Sequence, residues 1–206
     1  MELLDIIAGG NSGIDEFYSA QMHECLDNRV LVFNRGVDES LVEDMILYVL
    51  KWNREDIDIP VEKRRPITLL IHSLGGDVFA SNALVNVLLS SKTPTRSVAL
   101  GLVASAAYDI YLACEERIAF STSIFLQHDG GLELSTSSKK MKEIVDFFLK
   151  AMAQRDKDLI LSRTNMEEEF YDNIYGEEFY FYADKAKELG VVHKIIGEDI
   201  EIGEIF

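Results

Sequence analysis

The run ITLLIH (67–72) constrains the fold more than any other stretch of this chain. A strand with one wet face alternates apolar and polar residues, whereas a continuously apolar run is covered on both faces, as in a parallel sheet flanked by helices. The Gly-Gly pair that follows opens a helical pattern, VFASNALVNVLLSS. The same alternation recurs along the chain. RVLVF (29–33) reads as a strand, and ESLVEDMILYVLKWN (39–53) places Leu41, Val42, Met45, Ile46, Val49 and Leu50 on one side of a helix. Ser40 and Glu43 form a capping-box pattern at its start. SVALGLV (97–103) reads as a strand leading into a short helix from Ser105 to Cys114, and RIAF (117–120) and SIFLQH (123–128) as two more strands. A long helix is expected over 138–162, with Met141, Ile144, Val145, Phe148 and Met152 on one stripe. Thr164 and Glu167 suggest a second capping box, and ADKAKELG (183–190) a helix closed by Gly190 before the strand VVHKII. Strand and helix alternate, so the expectation is a single α/β domain with a mostly parallel sheet.

The length of 206 residues suits one domain, and the expectation is a cytoplasmic protein: no run is long and apolar enough to span a bilayer, and MELLDIIAGGNSG lacks the basic start of a secretory signal. Two cysteines, Cys25 and Cys114, are too few for a disulfide framework and lack metal-ligand spacing. No metal or cofactor is expected. A net charge of −16 argues against a nucleic-acid partner, which needs clustered Lys and Arg. The short basic stretch EKRRP (62–66) reads as a solvated loop.

Ser105 is the residue that asks for an explanation. Serine favours helix starts, where its hydroxyl caps free N–H groups, and an N-cap is the plain reading. In an α/β sheet, however, ligands bind beyond the carboxyl ends of strands, and Ser105 stands where such a strand meets a helix N-terminus. The small neighbours Ala104, Ala106 and Ala107 leave room for a substrate. HSLGGD (72–77) brings two glycines to the same edge, as a tight turn or as a backbone able to aim its N–H groups at a developing oxyanion. His128, at the end of its strand, is placed to serve as a base, and a carboxylate would orient it.

GLVASAAYDIYLA, HSLGGDVFA, SIFLQHDGG and EFYFYADKAKELGVVHKII, in this order and at these distances, resemble the proteolytic subunits of the caseinolytic ATP-dependent protease, the ClpP family. The resemblance runs from about 29 to 196, with about two residues lost between Ala113 and Arg117. It implies a ClpP/crotonase-like fold of repeated β-β-α units, with a mostly parallel sheet and a protruding handle over about 133–162. It implies Ser105 as nucleophile, His128 as general base, the backbone N–H groups of Gly76 and Ala106 as oxyanion donors, and Glu178 where the family has aspartate; Glu177 and Asp172 are alternative acids. It further implies a serine endopeptidase acting on polypeptides inside two stacked heptameric rings, an AAA+ unfoldase of the ClpX, ClpA or ClpC kind as partner, and residues 1–20 as a flexible or axial segment. Phe147 and Leu149 add apolar surface to the handle beyond its main stripe. The chain departs from the family at HSLGG and at the DG after His128, beside the substrate groove. Two other readings remain: a catalytically silent paralogue that builds mixed rings, and a crotonase-like enzyme that holds an acyl-CoA enolate.

Overall fold

The computed structural model describes residues 11–131 and 137–205; the side chains of 11–15, 138, 139 and 149 are outside that description. The axial segment expected before residue 11, the start of the handle at 133–136 and the side chain of Leu149 therefore lie outside the described residues. Residues 11–20, expected as part of a flexible segment, fall within the helix α1 (Asn11–Asp27).

The sheet begins with β1 (Val30–Phe33), β2 (Ile67–Ser73) and β3 (Thr95–Ala104), all parallel. Between β1 and β2 the expected helix forms, but as a π-helical turn, Val42–Ile46, that runs into α2 (Leu47–Glu55). The Ser40–Glu43 capping box does not form: the Ser40 N–H and hydroxyl both donate to the Asp38 carboxylate, which lies closer in the chain. After β2, Asp77 caps α3 (Val78–Ser90) by accepting from the Ala80 N–H at 2.7 Å. The apolar character of β2 is explained by its position: Ile67, Leu69 and Ile71 are fully buried, between β1 on one side and β3 on the other.

The strand β3 decides where the site can be. It is long enough to serve two neighbours in succession: Arg96–Ala99 pair with β4 (Glu116–Phe120), and Leu102–Ala104 pair with β5 (Ile124–Gln127). The change of partner coincides with a register shift against β2, where Ile71 faces Ala99 but Ser73 faces Val103. His72 seals this bulge by accepting the Leu102 N–H on Nδ1 at 3.1 Å, and a Cβ at Gly101 would stand 2.8 Å from that nitrogen. His72 is thus a bulge support.

Helix α4 (Ala106–Ala113) leaves the end of β3 and is buried along its length. Its Tyr108 and Tyr111 pack against Phe125, and Tyr108 also meets Phe181 edge-on, so aromatic burial ties α4 to the end of the sheet. The long helix is observed as α5 (Ser138–Phe147), a π-helical turn at Phe148–Met152, and α6 (Ala153–Arg163). Phe148 packs edge-on to Phe79 of α3, whereas Phe147 is 62% exposed. Thr164 does not start a capping box; its hydroxyl donates to the Ile160 carbonyl at 2.7 Å, and α7 (Glu168–Ile174) begins without a side-chain cap.

β6 (Phe179–Tyr182) pairs antiparallel with β5 and runs directly into α8 (Ala183–Glu188), and β7 (Lys194–Ile196) closes the other edge beside β4. The sequence did not single out β6, since only Phe181 of its four residues is buried. The strand over VVHKII is shorter than expected, because Val191 and Val192 donate to Ala186 and finish α8 instead.

Candidate active site

Ser105 sits in the turn from β3 to α4 with φ 54° and ψ −131°. A residue with a Cβ enters that region at a cost of about 1–3 kcal/mol, and such strain persists only where the surroundings enforce it. Three contacts do so. The Ser105 N–H donates to the Leu126 carbonyl at 3.0 Å, continuing the β3–β5 ladder by one step. Gly75, at φ 87°, lies so close that a Cβ there would stand 2.6 Å from the Ala104 oxygen and 2.8 Å from the Ser105 Cβ. On the helix side, the Ser81 hydroxyl of α3 holds the Ala106 carbonyl at 2.7 Å.

The strained turn aims the hydroxyl away from the helix. Ser105 occupies the position before α4 yet caps none of its N–H groups; its Oγ lies 2.8 Å from His128 Nε2. At this distance the hydroxyl can donate to an unprotonated ring nitrogen. The plain N-cap reading is excluded by this geometry. His128 is half-buried, one residue beyond β5, and it reaches Ser105 because β3 and β5 are adjacent and parallel.

The two backbone donors that the resemblance implies are both unpartnered among the described residues. Ala106 is the first residue of α4, where an N–H has no intrahelical partner. At Gly76, φ 151°, the chain bridges to Val37: the Val37 N–H donates to Gly75 and the Asp77 N–H donates to Val37, both at 2.9 Å. These bonds use the groups on either side and turn the Gly76 N–H to the opposite face. Among the described residues neither the Gly76 nor the Ala106 N–H has a hydrogen-bond partner.

The acids fall elsewhere. Glu178 immediately precedes β6, is exposed, and accepts only a long 3.4 Å bond from the Tyr180 hydroxyl. Glu177 is exposed, and Asp172 on α7 is engaged by Lys157 at 2.6 Å. The structure thus brings Ser105 and His128 together, and among the described residues the second ring nitrogen of His128 has no hydrogen-bond partner.

Two hollows adjoin the pair. A cavity of about 30 Å³ lies directly beside it, lined by Ser105, His128, Tyr108, Asp109, Gln127 and Asp156 among others. A groove of about 1050 Å³ runs from Gly76 and Asp77 along α3 to α6 and shares Val78, Gly130 and Asp156 with the cavity. The sequence reading passed over Asp109 and Asp156. Asp109 was visible in principle, as an acid in the apolar run AAYDIYLA four residues after Ser105. Asp156 comes from another helix, and no local pattern pairs the two.

Loss of hydration, and then repulsion from Asp156, pushes the Asp109 carboxyl well above the usual carboxylate range. Loss of hydration also raises Asp156, with Arg155 acting the other way. Asp156 from α6 and His128 after β5 line the same cavity as Asp109, and Tyr171 from α7 and Tyr108 lie near enough to feel its charge. Between the ordinary carboxylate pKa of about 3.9 and the raised folded value, the folded chain holds more protons than the unfolded one, so stability falls as pH rises through that window. Asp109→Asn removes the penalty. Its melting temperature is expected to gain on the parent as pH rises from about 4 to about 8, by roughly 2–4 °C for each kcal/mol relieved in a chain of this size. Thermal melts across this range check it, and a constant difference would contradict it.

Among the described residues no group of three His, Cys, Asp or Glu side chains is arranged to hold a metal ion, and no helix is long and apolar enough to cross a membrane. Cys114 is buried, its thiol pushed up to about 12 by loss of hydration, and Cys25 is half-buried.

A mostly parallel sheet that presents a serine–histidine pair and two open backbone N–H groups at one edge has the layout of a peptidase-type hydrolase. The comparisons with known proteins agree and are more specific. The Clp protease family model matches residues 15–199. An ATP-dependent Clp protease proteolytic subunit 2 from Treponema denticola is 26% identical over 187 residues, covering 90% of each chain, and a subunit 2 from Pseudomonas aeruginosa is 26% identical over 189 residues, covering 88% of this chain and 87% of its own length. A solved ClpP1 mutant from Listeria monocytogenes superposes with a TM-score of 0.73 at 24% identity, over 90% of this chain and 99% of that one. The chain belongs to the Clp protease family.

Proposed function

We propose that this chain is a serine endopeptidase that cleaves unfolded polypeptides by acyl-enzyme chemistry. The observation that carries the reading is the strained Ser105, held off its helix and 2.8 Å from His128 Nε2. Ser105 Oγ attacks the peptide carbonyl while His128 Nε2 takes its proton; the C–O bond forms, and charge collects on the carbonyl oxygen facing the Gly76 and Ala106 N–H groups. His128 then gives the proton to the leaving amine as the C–N bond breaks. A water deprotonated by the same nitrogen hydrolyses the ester and returns Ser105. In this reading Glu178 is the acid, swinging to His128 when substrate fills the groove, as catalytic hydrogen bonds often tighten only in the complex.

The wider reading follows from family membership. It comprises stacked heptameric rings joined through the handle, where exposed Phe147 offers apolar surface, an AAA+ unfoldase that feeds the chamber, and a cytoplasmic location where such a motor finds its nucleotide. The exposure of Glu178 favours a second reading, a silent paralogue in mixed rings.

Labelling with a serine-directed fluorophosphonate, read by intact mass on the parent and on Ser105→Ala, separates the two. A single adduct on Ser105, absent from the variant, is expected. No adduct on the assembled parent would favour the silent paralogue.

A further inference from the structure

The cavity beside Ser105 and His128 has an unusual inventory. Asp109 and Asp156 both line it, and among the described residues neither carboxylate has an ion-pair or hydrogen-bond partner. Two more residues of its lining carry buried polar atoms with nothing to bond to. Gln127 is 3% exposed and its Oε1 is unpartnered; Tyr108 is 1% exposed and its hydroxyl is unpartnered. Buried polar atoms are ordinarily satisfied, so two orphans in one small hollow call for a ligand.

The missing ligand must donate. Two carboxylates and an amide oxygen are acceptors, and the tyrosine hydroxyl can satisfy only one of them. The two half-buried carboxyls also have no cation paired with them among the described residues, and loss of hydration makes both resist ionisation. An ammonium ion has three donors, no acceptor and the needed charge. About 30 Å³ holds roughly one or two water-sized groups, so a compact head fits with no second polar branch. The remaining wall is apolar, with Val78 and Ile160, as the methylene stem of an alkylammonium requires. Val78 and Gly130 belong also to the groove that passes Gly76, so a side chain entering from that groove reaches the carboxyl pair alongside the nucleophile.

We infer that the cavity is a lysine-selective pocket: Asp109 and Asp156, with Gln127 Oε1 and the Tyr108 hydroxyl, receive the ammonium of a substrate lysine next to the bond that Ser105 attacks. The inference rests on the peptidase reading for its catalytic consequence, but the pocket itself can be tested without turnover.

Two matched fluorogenic peptides, with lysine or with norleucine before the scissile bond, isolate the charge because the stems are the same length. The lysine peptide is expected to have a kcat/KM at least about tenfold higher, in line with the discrimination available to a site built for a polar group. The ratio should fall to about one in Asp109→Asn and in Asp156→Asn, both near-isosteric. Equal or better cleavage of the norleucine peptide by the parent overturns the inference and leaves the peptidase reading intact. If neither peptide is cleaved, binding to Ser105→Ala decides. n-Butylamine should raise its melting temperature in a saturable way while n-butanol does not, and adding Asp109→Asn should remove the effect. Absence of any amine effect overturns the pocket, whereas amine binding without phosphonate labelling of the parent retains the pocket and removes the peptidase reading.

Discussion

His128→Ala is expected to lower kcat for peptide hydrolysis by about 10⁴- to 10⁶-fold, because a serine–histidine unit fails as a whole when its base is removed. The loss should fall mainly on kcat, since His128 takes part in proton transfer. The fold should survive: among the described residues the imidazole has one hydrogen bond, to Ser105, and the strand that carries it is held by β3 and β6. Equal thermal melts for parent and variant, with phosphonate labelling of Ser105 lost in the variant, would complete the result. Hydrolysis persisting within about tenfold of the parent would mean that another group takes the proton, and the assignment of His128 would fall.

Much of this site was legible because parallel α/β architecture writes itself into local sequence. Ile67, Leu69 and Ile71 announce a doubly covered strand, and Ser105 and His128 each stand at a strand's carboxyl end. What joins them is not local. The second half of β3 leaves β4 for β5 only after the bulge at Gly101, and that exchange of partner has no signature in VALGLVAS. Side-chain competition explains the failed capping boxes: Asp38 takes both Ser40 donors, and Thr164 turns back to Ile160. The π-helical turn inside the first expected helix shifts its apolar faces, so Val42 and Leu50, placed on the same side as Met45 and Val49, are exposed while those two are buried. Ser105 is the instructive case. Its residue type fits an N-cap, yet its positive φ removes the hydroxyl from the cap position, and only the packing of Gly75 against Ala104 and Ser105 explains why.

The same packing makes Gly76→Ala the most damaging small substitution at the site. At φ 151° a side chain is strained, and a Cβ there would overlap the Val37 carbonyl oxygen, a backbone atom that cannot swing aside. The Val37 bridge must therefore open, breaking the bonds from Val37 to Gly75 and from Asp77 to Val37 that fix the Gly76 backbone. One oxyanion donor is worth about 10²- to 10³-fold in kcat, and at least that loss is expected, together with a lower melting temperature from the lost bridge. Gly203→Ala supplies the control: a Cβ there meets nothing within 4 Å, so both activity and melting temperature should stay at parental values. Phosphonate labelling separates the causes of the loss. The Ser105–His128 contact does not pass through Gly76, so slow labelling should remain where turnover is gone. If Gly76→Ala turned over peptide at the parental rate, the Gly76 N–H would have no part in holding the oxyanion, and the Ala106 N–H would be left to hold it without that partner.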